Sequence, residues 1–257
     1  MEYIENADVD LNFSNSAKKI STLDVNIIKR AIDDFNLVMD LIDEEIPIDL
    51  FGILGMRNLS SFVGEVFAKS IAKESNNLFM SNPHQDGYPD LLLIDEGGII
   101  EINKIKSLNM MQSKMPFSPF INGGIEIKAT CGSVPSPAEC HRKGTTKPGM
   151  GDSRINHLKS YDWKAHHRDT NNLIGILWDF IDGTPRIISV FFGNNLSTDD
   201  WGKIVQPKEG GGRTTSVSIM TRNGVKKMYE NWLFCLSGEQ YINFLNKYNK
   251  SDLMKTI

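Results

Sequence analysis

The stretch Gly123-Gly124-Ile125-Glu126-Ile127-Lys128-Ala129-Thr130 does most to limit what this chain can become. Ile125, Ile127 and Ala129 alternate with Glu126, Lys128 and Thr130, the two-residue period of a strand with one apolar face. Such a strand needs a core against that face. On its other side stand a carboxylate, an ammonium and a hydroxyl in a row, with Glu126 and Lys128 about 6–7 Å apart along the strand. By themselves Glu126 and Lys128 are an ordinary surface pair. Pro89-Asp90, directly ahead of the apolar run Leu91-Leu92-Leu93-Ile94, places another acid at the end of an earlier strand.

Around this stretch the sequence divides into helix-rich and strand-rich parts. Residues 1–20 are polar and expected to be irregular. Thr22 is the expected N-cap of a helix running to about Asp43, with Val25, Ile28, Ile32, Phe35, Val38, Met39 and Ile42 at helical spacing and Pro47 as its stop. A short helical turn is expected within 49–55. A second helix spans about 58–74, with Phe62, Val66, Phe67 and Ile71 on one face, small residues at Ser61, Gly64 and Ala68, and Glu65 within it. Asp95-Glu96-Gly97-Gly98 reads as a hairpin turn leading to a partner strand over 99–102, and 103–122 as an irregular excursion. Two strands over 172–180 and 186–192 are joined at Asp182-Gly183, a further short strand covers 216–220, and helices over 223–236 and 238–248 close the chain. The pattern predicts an α/β (α+β) fold in a single domain over 1–257: a mainly helical part to residue 80, a central mixed sheet flanked by helices over 81–192, and a helical part over 193–257.

At 257 residues with 40% hydrophobic and 23% charged side chains, the composition is that of a soluble globular chain. A net charge of −4 argues against a passive polycation, although it leaves room for local basic patches. Cys131, Cys140 and Cys235 are too few and scattered for a disulfide framework, and Cys131, Cys140 and His141 lack the second ligand pair of a zinc site. No run approaches the ~18 apolar residues of a membrane span, and no signal-peptide pattern is seen, so a cytoplasmic location is expected.

Two carboxylates at neighbouring strand ends, with an amine beside them, suit phosphodiester hydrolysis. A hard cation such as Mg²⁺ takes carboxylate, carbonyl and water oxygens, screens the phosphate and acidifies a bound water. Asp90 and Glu126 would supply two ligands and the Ile127 carbonyl a third, with Lys128 near the attacking water or a phosphate oxygen. Pro89-Asp90 followed by Glu126-Ile127-Lys128 resembles the PD-(D/E)XK nuclease superfamily, and in chain size its type II restriction endonucleases. The resemblance implies a restriction-endonuclease-like mixed sheet flanked by helices and Mg²⁺-dependent cleavage leaving 5′-phosphate and 3′-hydroxyl ends. It implies metal-binding roles for Asp90 and Glu126, a catalytic lysine in Lys128 and a supporting glutamate in Glu65. In a restriction system it also implies a cellular DNA methyltransferase of the same specificity. Glu101 with Lys104 is a weaker counterpart: on the strand expected there, the two would point to opposite faces.

Such an enzyme must hold double-stranded DNA, through phosphate contacts for position and base edges for sequence. The candidates are His141, Arg142, Lys143, Lys147, Arg154 and Lys159 in a turn-rich loop over 131–168, followed by Arg213 and Arg222. A loop that long within a domain is uncommon unless it is functional. His166 and His167 are adjacent and diverge, so joint ligation is not expected. Residues 144–151 lack a nucleotide-binding order. The aromatic residues at 161, 163, 178, 201, 229 and 232 are expected in the core. Cutting both strands of a symmetric site favours a homodimer. The alternatives are a structure-specific repair or junction-resolving nuclease on the same fold, and a non-catalytic DNA-binding protein in which Glu126 and Lys128 merely pair.

Overall fold

The computed structural model describes residues 1–6, 9, 11–14, 20–165, 168, 171–207 and 216–249. Its elements in chain order are β1 (Tyr3–Glu5), β2 (Leu11–Ser14), β3 (Ile20–Leu23), α1 (Val25–Glu45), α2 (Leu50–Ile53), α3 (Met56–Glu74), β4 (Phe79–Ser81), β5 (Leu91–Leu93), α4 (Glu96–Ser107), β6 (Gly124–Thr130), α5 (Pro137–Arg142), β7 (Lys164–Ala165), β8 (Leu173–Ile181), β9 (Thr184–Gly193), β10 (Ser218–Ile219), α6 (Arg222–Glu230), β11 (Trp232–Leu236) and α7 (Glu239–Asn249). Seven strands form one mixed sheet in the order β1-β11-β9-β8-β6-β5-β4. Only β6 and β8 run parallel within it; the other neighbours are antiparallel.

Side-chain alternation assigns the two faces. Ile174, Ile176, Trp178 and Phe180 of β8 and Ile125 and Ile127 of β6 turn towards α1 and α3. The α1 stripe Ile28, Ile32, Phe35 and Met39 and the α3 stripe Leu59, Val63, Phe67 and Ile71 are buried there, each at a helical repeat. Leu173, Leu177, Ile188 and Phe191 face the other way, onto Trp163, Trp201 and residues of α6 and α7. Leu92, Ile102, Ile105, Phe117 and Phe120 make a small third core behind β5. The aromatic residues 161, 163, 178, 201, 229 and 232 are all buried, as expected.

The β8–β9 hairpin follows its turn signal. Asp182 and Gly183 both take positive φ, 52° and 83°, the handedness that matches the twist of the strands they join. Four expectations are corrected. Residues 96–107 are the helix α4 rather than a turn and a strand. Asp95 caps it, its carboxylate accepting the Gly98 N–H at 3.0 Å. Gly98 is there for close approach: a Cβ would fall 2.1 Å from the Leu93 carbonyl oxygen. Residues 232–236 form β11 instead of extending the helix from 223. The N-terminal residues expected to be irregular include β1 and β2, and β1 extends the main sheet beside β11. Finally, Thr22 lies in β3, and Asp24 caps α1 by accepting the Asn26 N–H.

Candidate active site

The β5–β6 ladder is short. It registers Leu91 with Ile125 and Leu92 with Gly124 and then stops. The next step would set Asp90 against Glu126, and there side chains take over from backbone. The Asp90 N–H donates to Glu126 Oε2 at 3.2 Å, and the Ile127 N–H donates to Asp90 Oδ2 at 2.8 Å. Lys128 Nζ lies 2.5 Å from Glu126 Oε1 and 3.3 Å from Asp90 Oδ2. Thus the three groups singled out from sequence meet at one point, with the ammonium bridging both acids.

Glu126 is 5% exposed, while Asp90 and Lys128 are half-buried. Burial pushes the Glu126 carboxyl up to about 7; the Lys128 ammonium opposes this and the Asp90 charge adds to it. Burial works against the charge on Lys128, but Glu126 and Asp90 outweigh it and hold the ammonium above its ordinary range. Glu65 also rises, through partial burial and then the Asp90 charge, with Lys69 and Lys128 opposing.

A cavity of about 180 Å³ opens over Asp90, Ile127 and Lys128. One wall is α3, with Ser60, Ser61, Gly64, Glu65 and Lys69; the other is Ser81, Asn82, His84 and Gln85. Small residues at 61, 64 and 68 therefore do two things: they bring α3 close to β6, a Cβ on Gly64 lying 3.8 Å from Ala129 Cβ, and they leave the trough open. His84, Gln85 and Lys69 are lining residues that sequence reasoning did not pick out. No periodicity marks residues 82–89, rich in turn formers, as returning beside α3; only their position just before Asp90 was available.

The donor set fits a hard cation. Two carboxylates, one buried and one facing the cavity, offer oxygen ligands, and Glu65 offers another from the α3 wall. Among the described residues, no three His, Cys, Asp or Glu side chains already form a metal cluster. An ion here would complete its shell with backbone carbonyl and water, as Mg²⁺ readily does. Ile127 remains the candidate carbonyl ligand; its N–H is committed to Asp90.

The weaker acid–lysine pair is resolved differently from expectation. Glu101 and Lys104 lie on one face of α4, 3.5 Å apart, because three positions is nearly a helical turn. Neither lines the cavity.

The candidate DNA-contacting residues separate into exposed and engaged groups. His141, Arg142, Lys143 and Lys147 are exposed at the end of α5 and just beyond. Arg222 is exposed at the start of α6. Lys159 is exposed but paired with Glu139 at 2.7 Å. Arg154 is 8% exposed, its backbone N–H on Asp179 and its Nε on the Cys131 carbonyl, so the structure sets it inside the fold rather than on an open loop. Arg213 and the His166-His167 pair lie outside the described residues.

Compared with known proteins, the chain matches no family model, no curated protein and no solved structure.

Proposed function

We propose that this protein is a Mg²⁺-dependent endonuclease of the PD-(D/E)XK type, cutting double-stranded DNA at specific sequences as a type II restriction enzyme. The observation that carries the reading is the meeting of Asp90, Glu126 and Lys128 where the β5–β6 ladder ends, beneath an open cavity. A buried and a half-buried carboxylate that share one lysine are poor structural cement. Their mutual repulsion is relieved when a cation joins them.

Asp90 and Glu126 would hold the ion, with Glu65 supporting it or its waters. When bound, the ion supplies charge screening and an acidified water. Lys128, held beside both acids, would stand near the phosphate or the attacking water and keep its proton there. The cavity walls orient the strand; the exposed side chains of His141, Arg142, Lys143 and Lys147, with Arg222, meet the surrounding duplex. Products carry 5′-phosphate and 3′-hydroxyl ends. A cytoplasmic enzyme of this kind works beside a methyltransferase of the same specificity.

A plasmid digest with Mg²⁺ and with a chelator tests this directly. Discrete fragments only with Mg²⁺ are expected. Cleavage of branched junctions without site-specific cutting would move the assignment to a repair or resolving nuclease. No cleavage of either substrate by folded protein would leave Asp90, Glu126 and Lys128 a structural ion-pair cluster.

A further inference from the structure

The cavity over Asp90 has one ammonium that the acids do not hold. Its α3 wall is a single stripe, Ser60, Ser61, Gly64, Glu65, Ala68 and Lys69, at the spacing of one helix face and about 13 Å long. Glu65 lies within electrostatic reach of Asp90 and Lys128. Lys69 stands one turn further along, an axial rise of about 6 Å. Two lysines line the cavity, and Lys128 is locked between Glu126 and Asp90. Lys69 is exposed and makes no ion pair or hydrogen bond among the described residues. A glutamate four places before a lysine is the favourable order for a helix pair. The reversed pair Lys226–Glu230 closes to 3.5 Å, yet Lys69 stands off from Glu65.

We propose that Lys69 binds a second phosphate of the cut strand, the one next to the scissile group. The proposal rests on the nuclease reading and adds to it a requirement for a chain of nucleotides. A phosphodiester entering the trough meets Glu65 and Asp90, with Glu126 beneath, and like charges repel it. The Lys128 charge is already shared by two of those acids. The opposite wall supplies no free cation. Asn82 donates its amide to the Pro89 and Phe117 carbonyls, and His84 sets Nε2 against the Met111 carbonyl at 3.3 Å. Lys69 is therefore the charge left for the substrate. An ammonium on a flexible stem suits the task, since it meets a phosphate as a point charge without a fixed bidentate geometry. Its offset along α3 sets it beside the metal-binding acids rather than over them. A lone phosphate at the centre would not reach it, whereas a strand running along the stripe would.

Fluorescence anisotropy of a labelled duplex carrying the cut site, in chelator, and cleavage kinetics in Mg²⁺ test it. Lys69→Gln is expected to weaken binding about tenfold and to lower the slope of log affinity against log salt by about one phosphate contact. KM should rise with kcat near wild type, the mark of binding shared by ground and transition states, and the melting temperature should not move. Lys69→Arg should keep the wild-type values. A neutral methylphosphonate placed in turn at each phosphate flanking the cut should weaken wild-type binding about tenfold at one position and leave Lys69→Gln unaffected there. A salt slope and methylphosphonate profile shared by wild type and Lys69→Gln would overturn the proposal, while wild-type cleavage kept the nuclease reading. A wild type that neither binds nor cuts DNA would overturn both.

Discussion

Lys227 and Lys128 each sit against a buried carboxylate, 2.7 Å from Asp200 and 2.5 Å from Glu126. Asp200 is surrounded by further donors: the Ser197 N–H at 2.8 Å, the Ser197 hydroxyl at 3.2 Å and the Asn223 amide at 2.8 Å. Burial works to raise its pKa, yet Lys227 and these donors overcome it and hold the carboxyl below its ordinary range. Glu126 has Lys128 and one longer bond from the Asp90 N–H, and it faces a second carboxylate. Its pKa moves the other way. An acid–lysine contact alone therefore says little. What separates cement from a site is whether the surrounding dipoles finish the job or leave the acid wanting a cation.

The contrast is broken most severely at the site. Lys128→Ala and Asp90→Asn are each expected to lower cleavage at least ~100-fold, the usual cost of losing one preorganised charge in a reacting centre, and Asp90→Asn to do so with a melting temperature near wild type. Asn keeps an oxygen for the Ile127 N–H, so Asp90→Asn separates chemistry from architecture. Cleavage retained by either variant would remove the role assigned to that residue.

Lys227→Met should do the reverse. It strands Asp200, which is 0% exposed, without its counter-charge, at a cost of about 3 kcal/mol. Urea denaturation should show the midpoint falling. A midpoint unchanged by Lys227→Met would mean that the neighbouring donors suffice alone.

The two acids should also respond to pH with opposite sign. Glu126 ionises near 4.5 in an unfolded chain and at about 7 when folded. Between those values the folded chain holds the extra proton, so metal-free stability falls as pH rises through that window. Asp200 contributes stability above its ordinary 3.8 that is lost as pH falls through its lower folded value. Glu126→Gln should flatten the first slope and leave the second; thermal melts across pH in chelator would show it. Smallest of all, Mg²⁺ should raise the wild-type melting temperature above neutrality by a few degrees and leave Glu126→Gln unmoved.

Much of this site was legible because it rests on a period. Alternation across 125–130 fixed which residues of β6 face the core, and Pro89-Asp90 before a triple leucine marked the other acid. What could not be read was how Asp90 reaches Ile127, since this depends on the β5–β6 ladder ending after two pairs. Helices α1 and α3 and the β8–β9 hairpin carried strong repeats or a turn signal, and the sequence indicated them. Helix α4 did not: Gly97-Gly98 before paired isoleucines imitates a hairpin, and the close approach of Gly98 to Leu93 is a tertiary fact. Trp232–Leu236 is apolar at every position because both faces of β11 are covered, and an unbroken apolar run does not distinguish strand from helix.

One feature of the sheet reaches beyond the chemistry. Because β6 and β8 run side by side in the same direction, the chain leaving Thr130 has to travel back the length of the sheet before it can enter at Leu173. That return journey carries α5 and its exposed basic side chains. It divides the segment in two: α5 and residues 143–147 lie on the outside, where length and side chains can be rewritten, whereas Ile155, Tyr161 and Trp163 are pinned in the core beneath β8.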